Sequence, residues 1–264
     1  MKKLNIMLLG GTKDSTELIK HLKNNYDTHI LTTTTTEYGS KLAVEAGSDD
    51  TIARPLLKDE IIEIINNSDF DLLIDATHPF AEHITQTSKS VSKICDINYI
   101  RFERPPLIFD DIDESYIVYA KSFENAGEII SQQYPQGNIL HFAGANTMED
   151  VLKNVSADRF YPRILKVPKS IEKCEKLGIR EDHIIEMKGA ASLKENIDLI
   201  EKYDASVMIT KESGEIGGVI EKIEAANRKD IDLLMIKRPV IKELEKEDIV
   251  STLEEFDKKI KKLF

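Results

Sequence analysis

The amino-acid sequence predicts an α/β protein made of two Rossmann-like, doubly wound parallel-sheet domains with a cleft between them. Short apolar segments alternate with segments whose apolar residues recur at helical spacing. The loops between these segments are short, and one stretch rich in proline and acidic residues interrupts the alternation. Strands and helices that alternate in this way bury a parallel sheet between two layers of helices.

The first half begins with a strand, a glycine turn and a helix. Leu4 to Leu9 is apolar and ends at Gly10-Gly11, and Ser15 to Lys23 carries apolar residues at helical spacing. The next predicted strands are His29 to Thr32, Asp71 to Asp75 and Tyr99 to Arg101, and the next predicted helices are Ser40 to Ala46, Lys58 to Asn66 and Phe80 to Cys95. We therefore expect a first domain over residues 1–104.

Residues 105–115 show neither strand nor helix periodicity, and they predict a linker before a second α/β domain over residues 116–264. The strands predicted there are Tyr116 to Tyr119, Ile139 to Phe142, Ile184 to Met187, Val207 to Thr210 and Leu233 to Ile236. The helices predicted there lie near Asn125 to Gln132, Thr147 to Asn154, Ile171 to Leu177, Leu193 to Lys202, Val219 to Asn227 and Leu253 to Lys262.

Composition and charge exclude several classes of protein. With 41% hydrophobic and 31% charged residues, the chain is typical of globular proteins, and its apolar runs are far shorter than the roughly 20 residues of a membrane span. We expect a cytoplasmic protein without membrane contact. The formal net charge of −11 argues against binding to nucleic acid. Cys95 and Cys174 lack partners at ligand spacing, so neither a disulfide nor a metal site is expected.

The turn after the first strand is a candidate dinucleotide site. Glycines there let backbone N–H groups approach a pyrophosphate at a helix N-terminus. The turn departs from the G-x-G-x-x-G pattern, and similar turns occur in α/β domains that bind nothing, so both interpretations stay open. The candidate cofactor-binding residues are Gly10, Gly11, Thr12 and Asp14.

Threonines 32 to 36 end the second strand, where a carboxylate usually binds a ribose 2′-hydroxyl. Here threonine hydroxyls stand in place of that carboxylate. They favour binding of a 2′-phosphate, and therefore NADPH over NADH, with Thr33 and Thr34 as candidate contacts. The alternative is that threonine is simply a good strand former.

Thr77 and His78 follow a buried strand, at the edge where open α/β sheets bind ligands. Both are candidates for cofactor binding, and His78 is also a candidate for proton transfer. The alternative is a structural histidine that stacks on Pro79.

Arginines at strand ends are candidates for binding carboxylates. Arg101 and Arg104 end one strand region and can present two guanidinium groups, and Arg163 occupies a similar context. The alternative for the first two is an ion pair with Glu103 or with the acidic linker.

The loop after the strand Val207 to Thr210 contains a lysine, a serine and three glycines before a helix begins. Such a loop offers backbone N–H donors and a cation to an anion. A purely structural loop is the alternative. The candidate substrate-binding residues of this loop are Lys211, Glu212, Ser213, Gly214, Gly217 and Gly218.

These motifs, taken in order, resemble the precorrin-6A reductase and cobalt-precorrin-6A reductase family of cobalamin biosynthesis. The blocks that carry the resemblance are Gly10-Gly11-Thr12, Tyr38-Gly39, residues 74–81 (IDATHPFA), residues 99–105 (YIRFERP), residues 210–218 (TKESG followed by GG) and Arg238-Pro239. One segment departs from the family pattern, because residues 187–192 (MKGAAS) stand where a Gln-Gly-Pro-Phe-Ser-like segment is expected.

The resemblance implies reduction of one carbon–carbon double bond of the precorrin-6A macrocycle by NADPH or NADH, giving precorrin-6B or its cobalt form. It places the cofactor on the first domain and the substrate in the cleft. The cations expected to bind substrate carboxylates are Arg101, Arg104, Arg163, Lys188 and Lys211. His78, Ser213 or an ordered water would supply the proton.

Two further hypotheses compete with this function. An unrelated dinucleotide-dependent reductase or epimerase is one, but no suitably placed Tyr-x-x-x-Lys pair is found. A non-catalytic dinucleotide sensor or tetrapyrrole carrier is the other. We also expect a monomer whose partner is a small tetrapyrrole.

Overall fold

The computed structural model describes residues 3–105, 113–186, 189–212 and 218–264. The chain forms two compact units, one of residues 1–105 with 239–264 and the other of residues 106–238. Each unit contains one six-stranded sheet, and the strands pair in parallel. The predicted α/β class is thus confirmed for each unit.

The first unit contains strands from both ends of the chain. Its strands are β1 (Leu4–Leu9), β2 (Thr28–Thr34), β3 (Asp50–Ala53), β4 (Leu72–Asp75), β5 (Asn98–Phe102) and β12 (Ile249–Val250). Its helices are α1 (Lys13–Asn25), α2 (Glu37–Ala46), α3 (Lys58–Asn66), α4 (Glu82–Ile94) and α10 (Leu253–Leu263).

The first sheet has the order β12-β5-β4-β1-β2-β3, which is the doubly wound Rossmann order. Alternate residues of β1 point to opposite faces: Ile6 and Leu8 pack in one apolar cluster, and Met7 and Leu9 pack in another. The first cluster includes apolar residues of α1, α2 and α10, and the second includes residues of α3 and α4. The chain reverses its winding direction between β1 and β4, where Leu9 is the register partner of Asp75.

The second unit contains the strands β6 (Ile117–Ala120), β7 (Asn138–His141), β8 (Phe160–Ile164), β9 (Ile185–Glu186), β10 (Ala205–Lys211) and β11 (Asp232–Ile236). Its helices are α5 (Phe123–Gln133), α6 (Met148–Leu152), α7 (Pro168–Lys176), α8 (Leu193–Lys202) and α9 (Val219–Lys229). The sheet order is β6-β11-β10-β7-β8-β9, so its winding reverses between β7 and β10.

The structure corrects the prediction that residues 239–264 belong to the second domain. β12 pairs with β5 of the first sheet, and Phe256 of α10 packs edge-on against Phe102 with ring centroids 6.1 Å apart. Phe256 is completely buried in the first unit. Helical periodicity shows that α10 must bury one face, but it does not show which sheet receives that face.

Three strands were not predicted, for local reasons. β12 has only two residues, Ile249 and Val250, which is too short for a periodic pattern. β3 has the partly polar sequence Asp-Thr-Ile-Ala and lies at an edge of the first sheet. β8 contains Pro162, which argues against a strand in an interior position. No helix within the described ranges is both long enough and apolar enough to cross a bilayer. Cys95 and Cys174 are both free thiols.

Candidate functional site

The loops after β1 and β4 meet where the first sheet reverses. Thr12, which follows Gly10-Gly11, donates a hydrogen bond from its hydroxyl to the carbonyl of Ala76 at 2.8 Å. Backbone bonds join Ala76 N to the Leu9 carbonyl and Gly10 N to the Thr33 carbonyl, each at 2.9 Å. The structure therefore brings the glycine turn together with the ends of β2 and β4.

The glycine turn is closed by its own helix cap. Gly11 adopts a φ of 100°, a conformation that side chains rarely tolerate. Its N–H and that of Thr12 both donate to Ser15 Oγ at 3.1 Å. Ser15 N donates to Thr12 Oγ1 at 2.9 Å, which caps α1. At Gly10 a Cβ would lie 3.0 Å from Ser15 Oγ, so there is little room for a side chain.

Thr33 and Thr34 are buried strand residues at the end of β2. Thr34 donates from its hydroxyl to the carbonyl of Thr36 at 2.9 Å, so that hydroxyl is used within the loop. Thr34 also lies close to Gly11 and Gly39. Its Cβ is 3.9 Å from where a Cβ would lie at Gly11 and 3.2 Å from where one would lie at Gly39. The exposed Glu37 begins α2 just beyond these residues.

Asp75, the last residue of β4, is the centre of a buried network that the sequence did not single out. Its Oδ1 accepts bonds from Thr77 N at 3.0 Å, Thr77 Oγ1 at 2.6 Å and Arg101 Nη1 at 2.7 Å. Its Oδ2 accepts from Tyr99 OH at 3.2 Å. Burial, together with the charge of Asp75, raises the pKa of Tyr99, so the phenol stays a donor. This network fixes the backbone direction of the chain at Thr77.

Arg101 lies inside the first unit rather than at its surface. Its side chain is fully buried and bonds Asp75 on one side and Glu103, at 2.8 Å, on the other. Burial lowers its pKa, but the two carboxylates outweigh burial and raise the pKa above its ordinary value. The ion pair with Glu103, which was the alternative to substrate binding, is therefore present. Arg101 has no surface with which to contact a ligand.

Arg104 and His78 lie near the same sheet edge. Arg104 forms ion pairs with Asp14 at 2.7 Å and with Glu17, both in the first turns of α1. His78 is partly exposed, and its Nδ1 accepts a bond from Phe80 N at 3.2 Å. A neutral His78 therefore carries its proton on Nε2.

His141 marks the point where the second sheet reverses, at the end of β7. It is fully buried, and its Nε2 bonds Thr147 Oγ1 at 3.0 Å and the Gly144 carbonyl at 3.3 Å. Burial, together with the charge of Lys211, lowers the pKa of His141 to about 3 although the Gly144 bond opposes this, so the imidazole is neutral. Its Nδ1 has no hydrogen-bond partner among the residues described.

Lys211 ends β10 close to His141, and Glu212 follows it. Lys211 Nζ lies 5.6 Å from the centre of the Phe123 ring, and burial lowers its pKa. Glu212 accepts a bond from Arg238 N at 2.9 Å, and its carbonyl accepts one from Arg238 Nε at 3.1 Å. Lys211 is thus a partly buried cation at the sheet edge, whereas Glu212 bonds Arg238, the last residue of the second unit.

Arg163, near the end of β8, lies at the same edge of the second sheet. Its Cζ is 5.3 Å from the centre of the Phe142 ring, and its Nη2 donates to the Gly189 carbonyl. Burial lowers its pKa, although Glu195 acts in the opposite direction. Gly218, with a φ of 63°, directly precedes α9 and packs against Ala190.

Four predicted site residues lie outside the described ranges: Lys188, Ser213, Gly214 and Gly217. Within those ranges, no three metal-binding side chains cluster. Sequence reasoning missed Asp75, His141 and Lys222. Two of them carried a usable signal, because His141 ends a buried strand and Lys222 interrupts the apolar face of α9.

Comparisons with known proteins agree over nearly the whole chain. A family model described as precorrin-6x reductase CbiJ/CobK matches residues 5–261. The cobalt-precorrin-6A reductase of Methanocaldococcus jannaschii is 37% identical over 238 residues, which cover 90% of this chain and 92% of the relative. The cobalt-precorrin-6A reductase of Priestia megaterium is 32% identical over 254 residues, which cover 95% of both chains.

The fold is also shared with a solved structure, the CobK precorrin-6A reductase. The two superpose with a TM-score of 0.75 over 98% of this chain and 97% of the other, at 16% sequence identity. At that identity the likeness shows a common fold.

Proposed function

We propose that this chain, which belongs to the precorrin-6x reductase family, reduces one carbon–carbon double bond of precorrin-6A or cobalt-precorrin-6A. The single observation that carries the proposal is the family match over residues 5–261. It agrees with the resemblance inferred from the sequence motifs. The reductant is a nicotinamide dinucleotide, NADPH or NADH, and the product is precorrin-6B or its cobalt form.

The first unit supplies the features that a dinucleotide requires. Gly10, Gly11 and Thr12 lie at the reversal point of a Rossmann-ordered sheet, directly before α1. The positive end of α1 and the room left at Gly11, where a Cβ would have only Thr34 within 4 Å, favour a pyrophosphate there. Because Gly11 N and Thr12 N already bond Ser15 Oγ, the contact uses the outer surface of the turn or displaces that hydroxyl.

The bound nicotinamide would supply the hydride, so the residues of this chain bind and position the reactants and, at one place, supply a proton. Thr77 and His78 lie beside the glycine turn, where they can contact the cofactor. Asp75 and Arg101 both bond Thr77 and hold it in place. We therefore assign Arg101 a positioning role instead of substrate binding. The proton that follows the hydride comes from His78, Ser213 or an ordered water, as the sequence predicted.

The choice between NADPH and NADH depends on the end of β2. The threonine hydroxyls favoured NADPH, but Thr33 and Thr34 are buried, and the carboxylate of Glu37 lies nearby at the start of α2. A carboxylate in this position suits a ribose 2′-hydroxyl and repels a 2′-phosphate. Parallel titrations with the two cofactors decide between them.

The second unit supplies cations for the carboxylates of the macrocycle. Arg163 and Lys211 lie at the edge where its sheet reverses, and both are partly buried cations with lowered pKa values. In the sequence, Lys188 is next to Gly189, whose carbonyl accepts a bond from Arg163, and the glycines 214, 217 and 218 follow Lys211. Arg104 and Glu212 have partners within their own units, so we assign them a structural role instead of substrate binding.

Calorimetric titration with NADPH and, separately, NADH tests the cofactor part of the proposal. We expect Gly11→Asp to weaken binding by roughly tenfold or more, since it opposes a phosphate with a carboxylate. Gly178→Asp is the matched control, because Gly178 has a φ of 72° with open space around it and lies in the second unit. Equal binding by Gly11→Asp and wild type would exclude the glycine turn as the site.

Turnover with cobalt-precorrin-6A tests the reaction. Loss of the reduced nicotinamide absorbance in the presence of this substrate is expected, and each reactant alone should give no loss. Binding of both ligands without turnover would favour the dinucleotide sensor or tetrapyrrole carrier instead. Failure of the folded protein to bind either dinucleotide would refute the reductase proposal.

Four further properties are predictions from the sequence. We propose that the protein is cytoplasmic and monomeric, and that it binds neither nucleic acid nor membranes. Sedimentation velocity tests the monomer, and a protein that sediments as a dimer would contradict it.

A further inference from the structure

The turn that follows β7, residues 143–147, lies at the reversal point of the second sheet and contains none of the predicted site residues. The winding reverses between β7 and β10, and open α/β sheets bind ligands at such a point, beyond the carboxyl ends of the strands. Gly144 and Ala145 are half-buried, and Asn146 is exposed. A ligand bound at this edge would therefore meet the turn.

Gly144 adopts a backbone conformation that glycine alone tolerates, although the space beside it is empty. Its φ is 86° and its ψ is 162°, and this region of backbone conformation is essentially confined to glycine. A Cβ at Gly144 would meet no heavy atom within 4 Å beyond its chain neighbours. Glycine is thus required here for the direction of the chain, while the space beside it is left open.

The carbonyl of Gly144 is held inward by hydrogen bonds from Thr147 and His141. It accepts from Thr147 Oγ1 at 2.9 Å, from Thr147 N at 3.3 Å and from His141 Nε2 at 3.3 Å. In a trans peptide the C=O and the following N–H point in opposite directions. The N–H of Ala145 therefore points away from the buried His141, and within the described ranges it donates to no other group. The turn presents this donor on its outer side.

His141 is fixed in one orientation beneath the turn. Its ring is fully buried, and its centre lies 5.0 Å from that of Phe160 and 6.0 Å from that of Phe123. Burial lowers the pKa of His141 to about 3, so the imidazole is neutral. Because the Gly144 carbonyl can only accept, the single proton lies on Nε2. Nδ1 is then a buried acceptor that has no partner among the residues described.

Packing alone does not explain a histidine at this position. A buried acceptor without a partner lowers the free energy of unfolding. Leucine would fill a similar volume between Phe123 and Phe160 without that cost. The bond from His141 Nε2 to the Gly144 carbonyl, which leucine cannot make, does explain the histidine, because it fixes the peptide that carries the Ala145 N–H.

We propose that the turn at residues 143–147 binds one carboxylate of the tetrapyrrole substrate through the N–H of Ala145, and that His141 is the residue that positions this turn. A main-chain N–H held in a fixed direction is a donor suited to a carboxylate oxygen. Lys211 brings positive charge to the same edge, because its Nζ and the His141 ring both lie against the Phe123 ring. The inference rests on the proposed function, from which it takes the substrate.

Ala145→Asp tests the turn in steady-state kinetics with cobalt-precorrin-6A. It places a carboxylate beside the proposed donor, so KM should rise roughly tenfold or more through repulsion of the substrate carboxylate. The value of kcat should change far less, because a carboxylate remote from the reacting carbon is bound equally in the ground state and the transition state.

Ala157→Asp is the matched control, and it should keep the wild-type KM. Like Ala145, Ala157 is half-buried and begins a three-residue 3₁₀ turn of the second unit. Ala157 precedes β8, however, so it lies at the opposite edge of the same sheet. The two variants therefore add the same charge in the same local setting, and only one of them adds it at the proposed site.

A second pair of variants tests the positioning role of His141. Glutamine keeps an N–H donor, whereas leucine keeps a similar volume and loses the donor. His141→Leu should raise KM roughly fivefold, about the effect of one hydrogen bond, and His141→Gln should stay within about twofold of wild type. Circular dichroism verifies that both variants are folded. Equal KM values for the two folded variants would overturn the positioning role.

Calorimetric titration with NADPH and NADH accompanies the kinetics, and each variant should bind as wild type does, since the proposed dinucleotide site belongs to the first unit. If wild type turns over cobalt-precorrin-6A and Ala145→Asp keeps its KM, or if Ala157→Asp raises KM equally, the turn is not the site and the reductase proposal stands. If wild type neither binds a dinucleotide nor turns over the substrate, the proposed function fails, and the inference fails with it.

Discussion

Replacement of Lys222 by methionine should stabilise the second unit, because Lys222 is a buried cation with a lowered pKa. Burial and the charge of Arg163 lower the pKa of Lys222 from its ordinary value of 10.5 to about 8. A difference of about 2.5 pH units, at about 1.4 kcal/mol each, corresponds to about 3 kcal/mol for keeping the buried amine charged. Methionine retains a long unbranched side chain and removes this cost.

The stabilisation should depend on pH in a defined direction. Below pH 8 the amine is charged in both the folded and unfolded states, so the full cost of about 3 kcal/mol destabilises the wild type. Between pH 8 and 10.5 the folded protein binds fewer protons than the unfolded chain, so wild-type stability rises with pH. The advantage of Lys222→Met should therefore be largest at pH 7 and nearly absent at pH 10.5.

Urea unfolding followed by circular dichroism at pH 7 and pH 10 measures the difference. Because the chain has two units, the curves are fitted with two transitions, and hydrogen exchange identifies the transition of the second unit. Lys229→Met is the control, since Lys229 ends the same helix and pairs with Glu201 at 2.8 Å. Its effect should stay within about 1 kcal/mol at both pH values. A destabilised Lys222→Met, or a gain that is equal at both pH values, would refute the reasoning.

Three further predictions concern the first unit. Asp75→Ala leaves the buried Arg101 without one of its carboxylates and should cost about 3–5 kcal/mol in urea unfolding; recovery by the Asp75→Ala/Arg101→Met double variant is expected, and a single-variant loss under about 1 kcal/mol would contradict the network. Thr12→Val removes the helix cap and the bond to Ala76, so it should cost about 1–2 kcal/mol and weaken dinucleotide binding in calorimetry; unchanged values for both would count against it. Phe256→Ala should cost about 3–5 kcal/mol and reduce hydrogen-exchange protection in the first sheet, whereas a loss confined to the second sheet would contradict the assignment of the C-terminal helix.

Some predicted site residues could be interpreted from their neighbours in the sequence, whereas others depended on partners far away in the chain. Gly10 and Gly11 were singled out because a strand, two glycines and a helix follow one another directly, and they lie at the reversal point of a sheet. Arg101 was also noticed, but the sequence could not choose between a ligand and an ion pair. That choice depended on Asp75, which lies 26 positions away in the chain and is the register partner of Arg101 across adjacent strands.

Residues whose partners are distant in the chain were missed for the same reason. Lys222 is one charge on an apolar helix face, and only the packing around α9 buries it and lowers its pKa. His141 ends a buried strand, but its burial became evident only when Phe123 and Phe160 were found packed against its ring. Electrostatic effects of this kind depend on distance and burial, which a linear pattern does not contain.

The sequence by itself determined the alternation of strands and helices, the parallel α/β class, the glycine turn and the family. These follow from periodicity and from residue types that act over a few neighbouring positions. Only the tertiary structure decided that residues 239–264 return to the first sheet, that Arg101 is an internal ion-pair partner, and that Lys222 is buried. Strand pairing and charge proximity between distant segments depend on which surfaces can be buried together, and that is a property of the folded chain as a whole.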